Sequence, residues 1–279
     1  MTGYGSLTTG RRGWLLAAQL LLVAAALLTL LTLLLVRYSD RSSSEAADEC
    51  RRRREAMVVL PPEPDDPHLM MEYLVEHLTL PKSKPCQREL TLGGEPHEFS
   101  NNSVAVVGLK CVCLDPGFSL ALHDCLVIAS RPALEASFDA AAALFGCEVH
   151  SFGVERGRRL VGSRWPLPGG RRPVSVLALH LDGETLADLG RRPLDALDRV
   201  EQLSVHLNLT AVLTAGSAGD TAPLRRLYGS LLRLQEAGFH PYSSAIAEAE
   251  NVLDVTLPGQ RSPISTLSEV GWMKLMCDT

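Results

Sequence analysis

Residues 125–152 read CLVIASRPALEASFDAAAALFGCEVHSF, and this stretch decides the fold class. An apolar run at 125–130 precedes a helix-like segment at 132–145, which begins at a proline and ends before Gly146. A second apolar run follows at 147–152. Strand, helix and strand in this order, with a helix long enough for a crossover, predict a βαβ unit whose strands are parallel neighbours.

The same alternation continues toward the C-terminus. Residues 174–181 and 200–209 are apolar on both faces, which is typical of parallel strands covered by helices, and residues 223–237 place their leucines on one helical face. Residues 251–257 and 271–276 are predicted to form a terminal antiparallel pair. The predicted fold class is α/β, a Rossmann-like doubly wound and mostly parallel sheet with an antiparallel C-terminal strand pair, preceded by one transmembrane helix.

The transmembrane helix is predicted at residues 14–36, which carry no charge. A helix of this length spans about 34 Å, which matches the hydrocarbon core of a bilayer. Since no small-residue cleavage site follows, the segment is interpreted as an uncleaved signal-anchor. The predicted organisation is a cytosolic tail at 1–13, the anchor at 14–36, a stem at 37–67 and a luminal domain at 68–279.

The orientation of the anchor depends on features beyond its flanking arginines. Counted over the nearest residues, the positive charges favour a cytosolic N-terminus, but counted as far as Arg54 they favour the reverse. Asn101 and Asn208 lie in glycosylation sequons, and all seven cysteines follow the anchor. Both features favour a luminal body, and we expect a single-pass type II membrane protein of the Golgi or endoplasmic reticulum.

The stem is polar and proline-rich apart from the short apolar run at 56–60. Its four consecutive arginines, 51–54, have two interpretations. They are either a proprotein-cleavage site that releases a soluble domain or a solvated charge run, and we favour the second. An amphipathic helix is predicted at 69–80, immediately after the stem.

Composition excludes several classes of protein. The 279 residues carry a formal net charge of −5, with 46% hydrophobic and 21% charged residues, which excludes a collagen, a disordered acidic chain and a strongly basic nucleic-acid binder. The sequence also lacks the Asp-x-Asp triplet, the Gly-x-Ser-x-Gly elbow, the His-Glu-x-x-His zinc motif and a phosphate-binding P-loop. We therefore expect no nucleic-acid partner and none of the enzyme classes that these motifs mark.

Three short motifs carry a family resemblance: CLVIAS at 125–130, ASFD at 136–139 and GCEVHSF at 146–152. Together with weaker matches downstream, they resemble the methyltransferase-like family of secretory-pathway type II membrane proteins, from roughly residue 111 to the end. The resemblance implies a Rossmann-like sheet of the S-adenosylmethionine-dependent methyltransferase type. In that fold a cofactor lies over the carboxyl ends of the strands.

The cofactor positions depart from the family pattern. The turn after the first strand contains Arg131 and Pro132 and no glycine, although close approach of a cofactor to the backbone needs one. Gly153 stands where the family has an acid for the ribose hydroxyls, and Glu155 comes two residues later. The candidate cofactor-binding residues are therefore Ser130, Phe152 and Glu155.

The candidate catalytic residues depart in the same way, because His180 and His206 stand where the family has acids. The candidates are His180, Asp182, Glu184 and His206. Two histidines and a carboxylate at strand ends are compatible with acid/base chemistry, but their spacing matches no standard metal motif, and we expect no metal. We favour a catalytically degenerate domain that needs no cofactor and acts by binding or scaffolding. The alternative is an active methyltransferase that uses S-adenosylmethionine.

The cysteines are expected to oxidise in a luminal domain. The candidates for disulfides are Cys86, Cys111, Cys113, Cys125 and Cys147, and the sequence leaves their pairing open. Cys125 and Cys147 have the alternative of lying on neighbouring strands as a buried pair of thiols. Because seven is an odd number, one thiol stays free or joins another chain, and Cys50 is the candidate for a homodimer link.

An arginine-rich stretch lies between the predicted strands at 147–152 and 174–181. Residues 156–172 contain six arginines, from Arg156 to Arg172, together with glycines and prolines. This loop is a candidate contact for an anionic glycan or lipid. The alternative is an exposed insertion without a binding role.

Overall fold

The computed structural model describes residues 24–25, 27–35, 37, 48, 50–52, 54–79, 86–98, 104–115, 118, 120–131, 136–153, 172–183, 185–187, 197–246, 252–257 and 260–274. The chain divides into two compact units, Met1–Arg52 and Arg53–Thr279. In the first unit, residues 14–23, 26 and 36 of the predicted span lie outside the described residues. No helix among the residues described is both long enough and apolar enough to cross a membrane.

The second unit contains the α/β fold. Its elements in chain order are α1 (Pro67–Thr79), β1 (Glu89–Glu98), β2 (Val104–Cys113), β3 (Leu126–Arg131), α2 (Ala136–Leu144), β4 (Glu148–Gly153), β5 (Val174–Asp182), β6 (Val200–Asn208), α3 (Thr210–Ser217), α4 (Ala222–Glu236), β7 (Phe239–Ile246), β8 (Val252–Leu257), β9 (Gln260–Ser265) and β10 (Leu267–Lys274). The predicted bounds of the strands and helices differ from these observed bounds by only a few residues. The exception is the predicted pairing of the two terminal strands.

Six strands form the central sheet in the order β4-β3-β5-β6-β10-β7. β3 and β4 are parallel neighbours, with Leu126 opposite Glu148, as the βαβ prediction requires. β5 and β6 continue the parallel arrangement, whereas β10 is antiparallel to both β6 and β7. The predicted α/β class, with a mostly parallel sheet and an antiparallel C-terminal strand, is confirmed.

The predicted partner of the last strand is wrong. β8 pairs with β9 in a separate two-stranded sheet, and β10 instead inserts between β6 and β7. The physical reason is burial, because Val270, Trp272 and Met273 of β10 are all buried and together occupy both faces of the strand. A strand that is apolar on both faces is stabilised most in the middle of a covered sheet.

Both faces of the sheet are covered. On one face, α1 and α4 pack against leucines of β5 and β6 such as Leu177 and Leu203. On the other face, α2 and the β1–β2 hairpin pack against Val127 and Val176. The sheet is therefore the middle layer of the unit, and the hairpin occupies part of the second face.

The hairpin was not predicted, because residues 89–98 contain two glycines and a proline, which usually mark a turn. Glu89–Glu98 nevertheless pairs with Val104–Cys113 along its length. Gly93 has a φ of 76°, and a Cβ there would lie 2.8 Å from the backbone of Phe138 in α2. The glycine thus allows the hairpin to approach the helix closely.

The compact unit includes part of the predicted stem. Leu60 is buried in the main core, its N–H donates to Oε1 of Gln235 at 2.6 Å, and Nε2 of Gln235 donates to the Leu60 carbonyl at 3.2 Å. The hydroxyl of Tyr228 donates to the carbonyl of Pro61 at 2.9 Å. Residues around Leu60 therefore pack on α4, since the short apolar run at 56–60 provides side chains that gain from burial.

Two disulfides join described cysteines. Cys125 pairs with Cys147 at the starts of β3 and β4, and Cys86 pairs with Cys113 at the end of β2. Cys111 is the described cysteine that keeps its thiol. Cys50 is also disulfide-bonded. The disulfides support an oxidising compartment of the secretory pathway.

Candidate functional site

The order of the strands reverses at β3, which has β4 on one side and β5 on the other. In open α/β sheets, ligands bind outside the carboxyl ends of the strands at such a switch point. Ser130 of β3, Phe152 of β4, His180 of β5 and His206 of β6 all lie near these carboxyl ends. The fold thus brings candidate residues from four strands to one edge of the sheet.

His180 and His206 face each other directly. They are opposite in the parallel register of β5 and β6, and their rings stack with centroids 4.4 Å apart and an interplanar angle of 13°. His180 is exposed, whereas the side chain of His206 is only 13% exposed. The spacing of adjacent strands, about 4.8 Å, places two flat rings at the same register position within stacking distance.

Ser130 connects its own strand, β3, to β5. Its hydroxyl oxygen accepts a hydrogen bond from the N–H of His180 at 2.8 Å, and the residue is buried. The paired residues of β3 and β5 end at Ala129 and Ala178, so this hydrogen bond extends the connection beyond the backbone ladder. A buried side chain therefore bridges the two strands at the point where a cofactor crevice would open.

The remaining candidates either contact other parts of the chain or lie outside the described residues. Asp182 is at the end of β5, and its Oδ1 accepts from the N–H of Thr185 at 2.7 Å and from the Thr185 hydroxyl. Phe152 is half-buried and packs against the main core. Glu155 and Glu184 lie outside the described residues. Asp182 thus stabilises the turn after β5 in the way that aspartates commonly do.

A buried polar network lies next to His206, and the sequence analysis missed it. The Nζ of Lys110 is 3.0 Å from Oε2 of Glu269, and the Ser204 hydroxyl donates to Oε1 of Glu269 at 2.8 Å. The Nδ1 of His206 is 3.6 Å from Oε2 of Glu269. The only signal in the sequence is a charged residue close to apolar residues, at Lys110 in β2 and at Glu269 in β10.

The hairpin is fixed to the sheet by further buried hydrogen bonds. Gln202 accepts from the N–H of Cys113 at 2.7 Å and donates to its carbonyl at 2.8 Å. The hydroxyl of Tyr242 donates to the carbonyl of Cys111 at 2.7 Å, and burial raises the pKa of Tyr242 well above its ordinary value. Tyr242 is therefore a neutral donor at physiological pH, and its hydrogen bond helps to hold the hairpin on the sheet.

Cys86, Cys113 and Asp115 bring metal-ligating atoms together within the part of the chain that the structure describes. Both sulfurs are joined in a disulfide, and the carboxylate of Asp115 accepts from the N–H groups of Gln87 and Arg88 at 3.0 Å each. These atoms are thus engaged in bonds that hold the segment before β1. At the carboxyl edge, His206 lies between Glu269 and the exposed ring of His180.

Arg172, the last arginine of the predicted anion-binding loop, is engaged by acids. Its Nη1 is 3.0 Å from a carboxylate oxygen of Glu148 and its Nη2 is 3.0 Å from one of Asp124. The other arginines of the loop lie outside the described residues. Arg172 therefore serves to join the start of β4 to the chain before β3.

The chain matches no protein-family model, no curated protein and no solved structure. The features that bear on function are therefore the six-stranded α/β sheet, the buried polar network around Glu269 and the contacts at the carboxyl edge of the sheet.

Proposed function

We propose that the chain is a membrane-anchored protein of the secretory pathway whose luminal, methyltransferase-like domain acts by binding or scaffolding rather than by methyl transfer. The observation that carries this proposal is the hydrogen bond between the Ser130 hydroxyl and the N–H of His180. This hydrogen bond bridges β3 and β5 at the switch point. A nucleotide-type cofactor needs an open crevice there and a backbone that no side chain covers.

The fold is compatible with the family resemblance. The motif CLVIAS corresponds to β3, GCEVHSF corresponds to β4, and the two strands are parallel neighbours, with β4 at one edge of the sheet and β3 beside it. The order of the sheet, with its first parallel strand flanked by β4 and β5, is typical of doubly wound folds that bind nucleotides. These features support an origin in such a fold.

The residues at the carboxyl edge disfavour the cofactor. Arg131 ends β3 opposite Gly153 at the end of β4, so neither of these two positions provides a carboxylate. A ribose held without its acid loses a charge-assisted hydrogen bond, which contributes about 1.5–3 kcal/mol. That loss alone weakens binding by roughly one to two decades.

The alternative is an active methyltransferase, in which Glu155 holds the ribose and His180, Asp182 or Glu184 lies near the transferred methyl group. The stack of His180 on His206, with Glu269 behind it, favours this alternative because it provides a proton acceptor at the edge. A substrate hydroxyl or amine could lose its proton to such a group.

Calorimetric titration of the full-length protein in detergent with S-adenosylmethionine distinguishes the binding or scaffolding domain from the active methyltransferase. The binding proposal expects no measurable affinity up to about 1 mM. An affinity in the low micromolar range that weakens about tenfold in Glu155→Ala, but not in the control Glu236→Ala, would establish the active enzyme instead. Glu236 is a suitable control because it is exposed at the end of α4.

The partner surface that we propose is the arginine-rich loop, residues 156–172, with an anionic glycan or lipid as its ligand. Because Arg172 is already engaged by Glu148 and Asp124, the other five arginines are expected to carry the binding. Retention on a sulfated-glycan column tests this. Replacing Arg156, Arg158 and Arg159 by serine should lower the salt concentration at elution, whereas Arg172→Ser should leave it nearly unchanged.

A further inference from the structure

Four side chains lie at one corner of the carboxyl edge of the sheet. His180 and Asp182 of β5 are opposite His206 and Asn208 of β6 in the parallel register. Side chains at every second position of a strand point to the same face, so all four share one face of the sheet. The residue between the two members of each strand is a buried leucine of the main core, on the opposite face. We refer to these four residues as the carboxyl corner.

The carboxyl corner is at least partly exposed, whereas the preceding residues on the same face of β6 are covered. Gln202 and Ser204 are buried, and Gln202 is hydrogen-bonded to the backbone of Cys113 in the hairpin. The side chain of His206 is 13% exposed, Asn208 is half-buried, and the two corner residues of β5 are exposed. The cover that the hairpin provides therefore ends near His206.

Asn208 also begins the sequon Asn-Leu-Thr, and its side chain has a defined position at the end of β6. Its Oδ1 accepts a hydrogen bond from the N–H of Thr210 at 2.9 Å. This bond uses the amide oxygen and leaves the amide nitrogen, Nδ2, outside it. Because Nδ2 is the atom to which an N-linked sugar is attached, the conformation of Asn208 is compatible with a glycan.

We propose that Asn208 carries an N-linked glycan and that this glycan covers the carboxyl corner and closes the carboxyl edge to a nucleotide-type cofactor. The inference rests on the luminal topology proposed above, because such glycans are added only in the lumen. The donor is a lipid-linked oligosaccharide. Nδ2 forms a bond to the anomeric carbon of its first sugar, the bond from that carbon to the diphosphate breaks with its electron pair, and the diphosphate takes up the amide proton.

The glycan lies close to the other three residues of the corner. Two residues along a strand span about 7 Å and adjacent strands are about 4.8 Å apart, so Asn208 is near both His206 and Asp182. A branched glycan of several sugars extends further than either distance. The exposed carboxylate of Asp182 accepts hydrogen bonds from hydroxyl groups, and the exposed imidazole of His180 provides a ring against which a sugar packs. The corner thus has partners for the first sugars of the glycan.

The test is the reactivity of His180 toward diethylpyrocarbonate, which acylates imidazoles, in the full-length protein produced in eukaryotic cells and solubilised in detergent. Mass spectrometry of peptides measures the rate. Thr210→Ala removes the sequon, and Thr210→Ser is the matched control because a serine at this position keeps it. His180 should react severalfold faster in Thr210→Ala than in the wild type or in Thr210→Ser. His68, an exposed residue of α1, should react at the same rate in all three.

Enzymatic removal of the glycan from the folded wild type is a second measurement that requires no substitution. It should accelerate the reaction of His180 as much as Thr210→Ala does. Thermal melting of the variants and of the deglycosylated protein shows that each is folded.

The outcomes that would overturn the inference differ from those that would overturn the topology. If neither Asn101 nor Asn208 carries a glycan, the luminal topology fails together with the inference. If Asn101 carries a glycan and Asn208 does not, or if removing the glycan from Asn208 leaves the rate at His180 unchanged, the inference fails and the topology stands.

Discussion

The Nζ of Lys110 lies 3.0 Å from Oε2 of Glu269, although the two residues are 159 positions apart and both side chains are almost completely buried. Lys110 belongs to β2 of the hairpin and Glu269 to β10 of the central sheet. The ion pair therefore connects the two-stranded sheet of β1 and β2 to β10 of the central sheet. Removing one of the two side chains would leave the other buried without the opposite charge that it pairs with.

We expect Lys110→Met to lower the free energy of unfolding by about 3–5 kcal/mol, because the buried carboxylate of Glu269 would lose the ammonium group that it pairs with. The double variant Lys110→Met/Glu269→Leu should lose clearly less than the sum of the two single variants. Chemical denaturation of the detergent-solubilised protein measures both. As a control, Lys274→Met should cost about 1 kcal/mol or less, since Asp198 in its ion pair is largely exposed. Strict additivity in the double variant would contradict the coupling.

The disulfide between Cys125 and Cys147 closes a loop of 22 residues between the first two parallel strands. Replacing both cysteines by alanine should lower the free energy of unfolding by about 3 kcal/mol, because the unfolded chain regains the freedom that the loop removes. Cys111→Ser is the matched control, since that thiol belongs to no disulfide. Mass spectrometry of non-reduced peptides that shows Cys125 paired with any other cysteine would contradict the assignment.

The pH dependence of stability should depend on His77, whose pKa is lowered by burial from its ordinary 6.5 to about 4. Between these pH values the unfolded chain binds the proton more readily than the folded chain does. Stability is therefore fully present above about pH 6.5, and about 3 kcal/mol is lost as the pH falls to about 4. The lowered pKa of His240 acts in the same direction.

Unfolding curves at pH 7 and pH 4.5 measure this loss, and His77→Leu should reduce it. His68→Leu, at an exposed position of the same helix, is expected to leave the loss unchanged. If the wild type and His77→Leu lost the same free energy over this interval, the buried imidazole would not be the group that titrates.

The topology prediction is tested by glycosylation, because sequons are used only in the lumen. Asn208 accepts a hydrogen bond from the N–H of Thr210 at 2.9 Å, so replacing Asn208 would also disturb the start of α3. Thr210→Ala removes the same sequon and keeps that contact. The protein should shift on a gel after glycosidase treatment, and Asn101→Gln/Thr210→Ala should abolish the shift. A protein that never shifts and whose C-terminus is labelled from the cytosol would refute the luminal assignment.

The candidate site could be predicted from the sequence only in part, and the buried polar network around Glu269 is the part that could not. His180 and His206 could be placed at one edge, because the carboxyl ends of parallel strands meet there. Their stacking required the register of β5 and β6, and the network behind them required β2 and β10. No local pattern links Lys110 to Glu269, because a hydrogen bond between distant segments leaves no periodicity in the sequence.

The sequence by itself determined the local elements. Apolar runs, a proline before the helix and Gly146 after it specified the βαβ unit, since strand and helix periods and turn residues act over a few positions. Tertiary structure alone decided the insertion of β10 between β6 and β7, the pairing of Cys86 with Cys113 and the inclusion of Leu60 in the core. These choices depend on which distant surfaces bury the most apolar area together, and that is a property of the folded chain rather than of any segment.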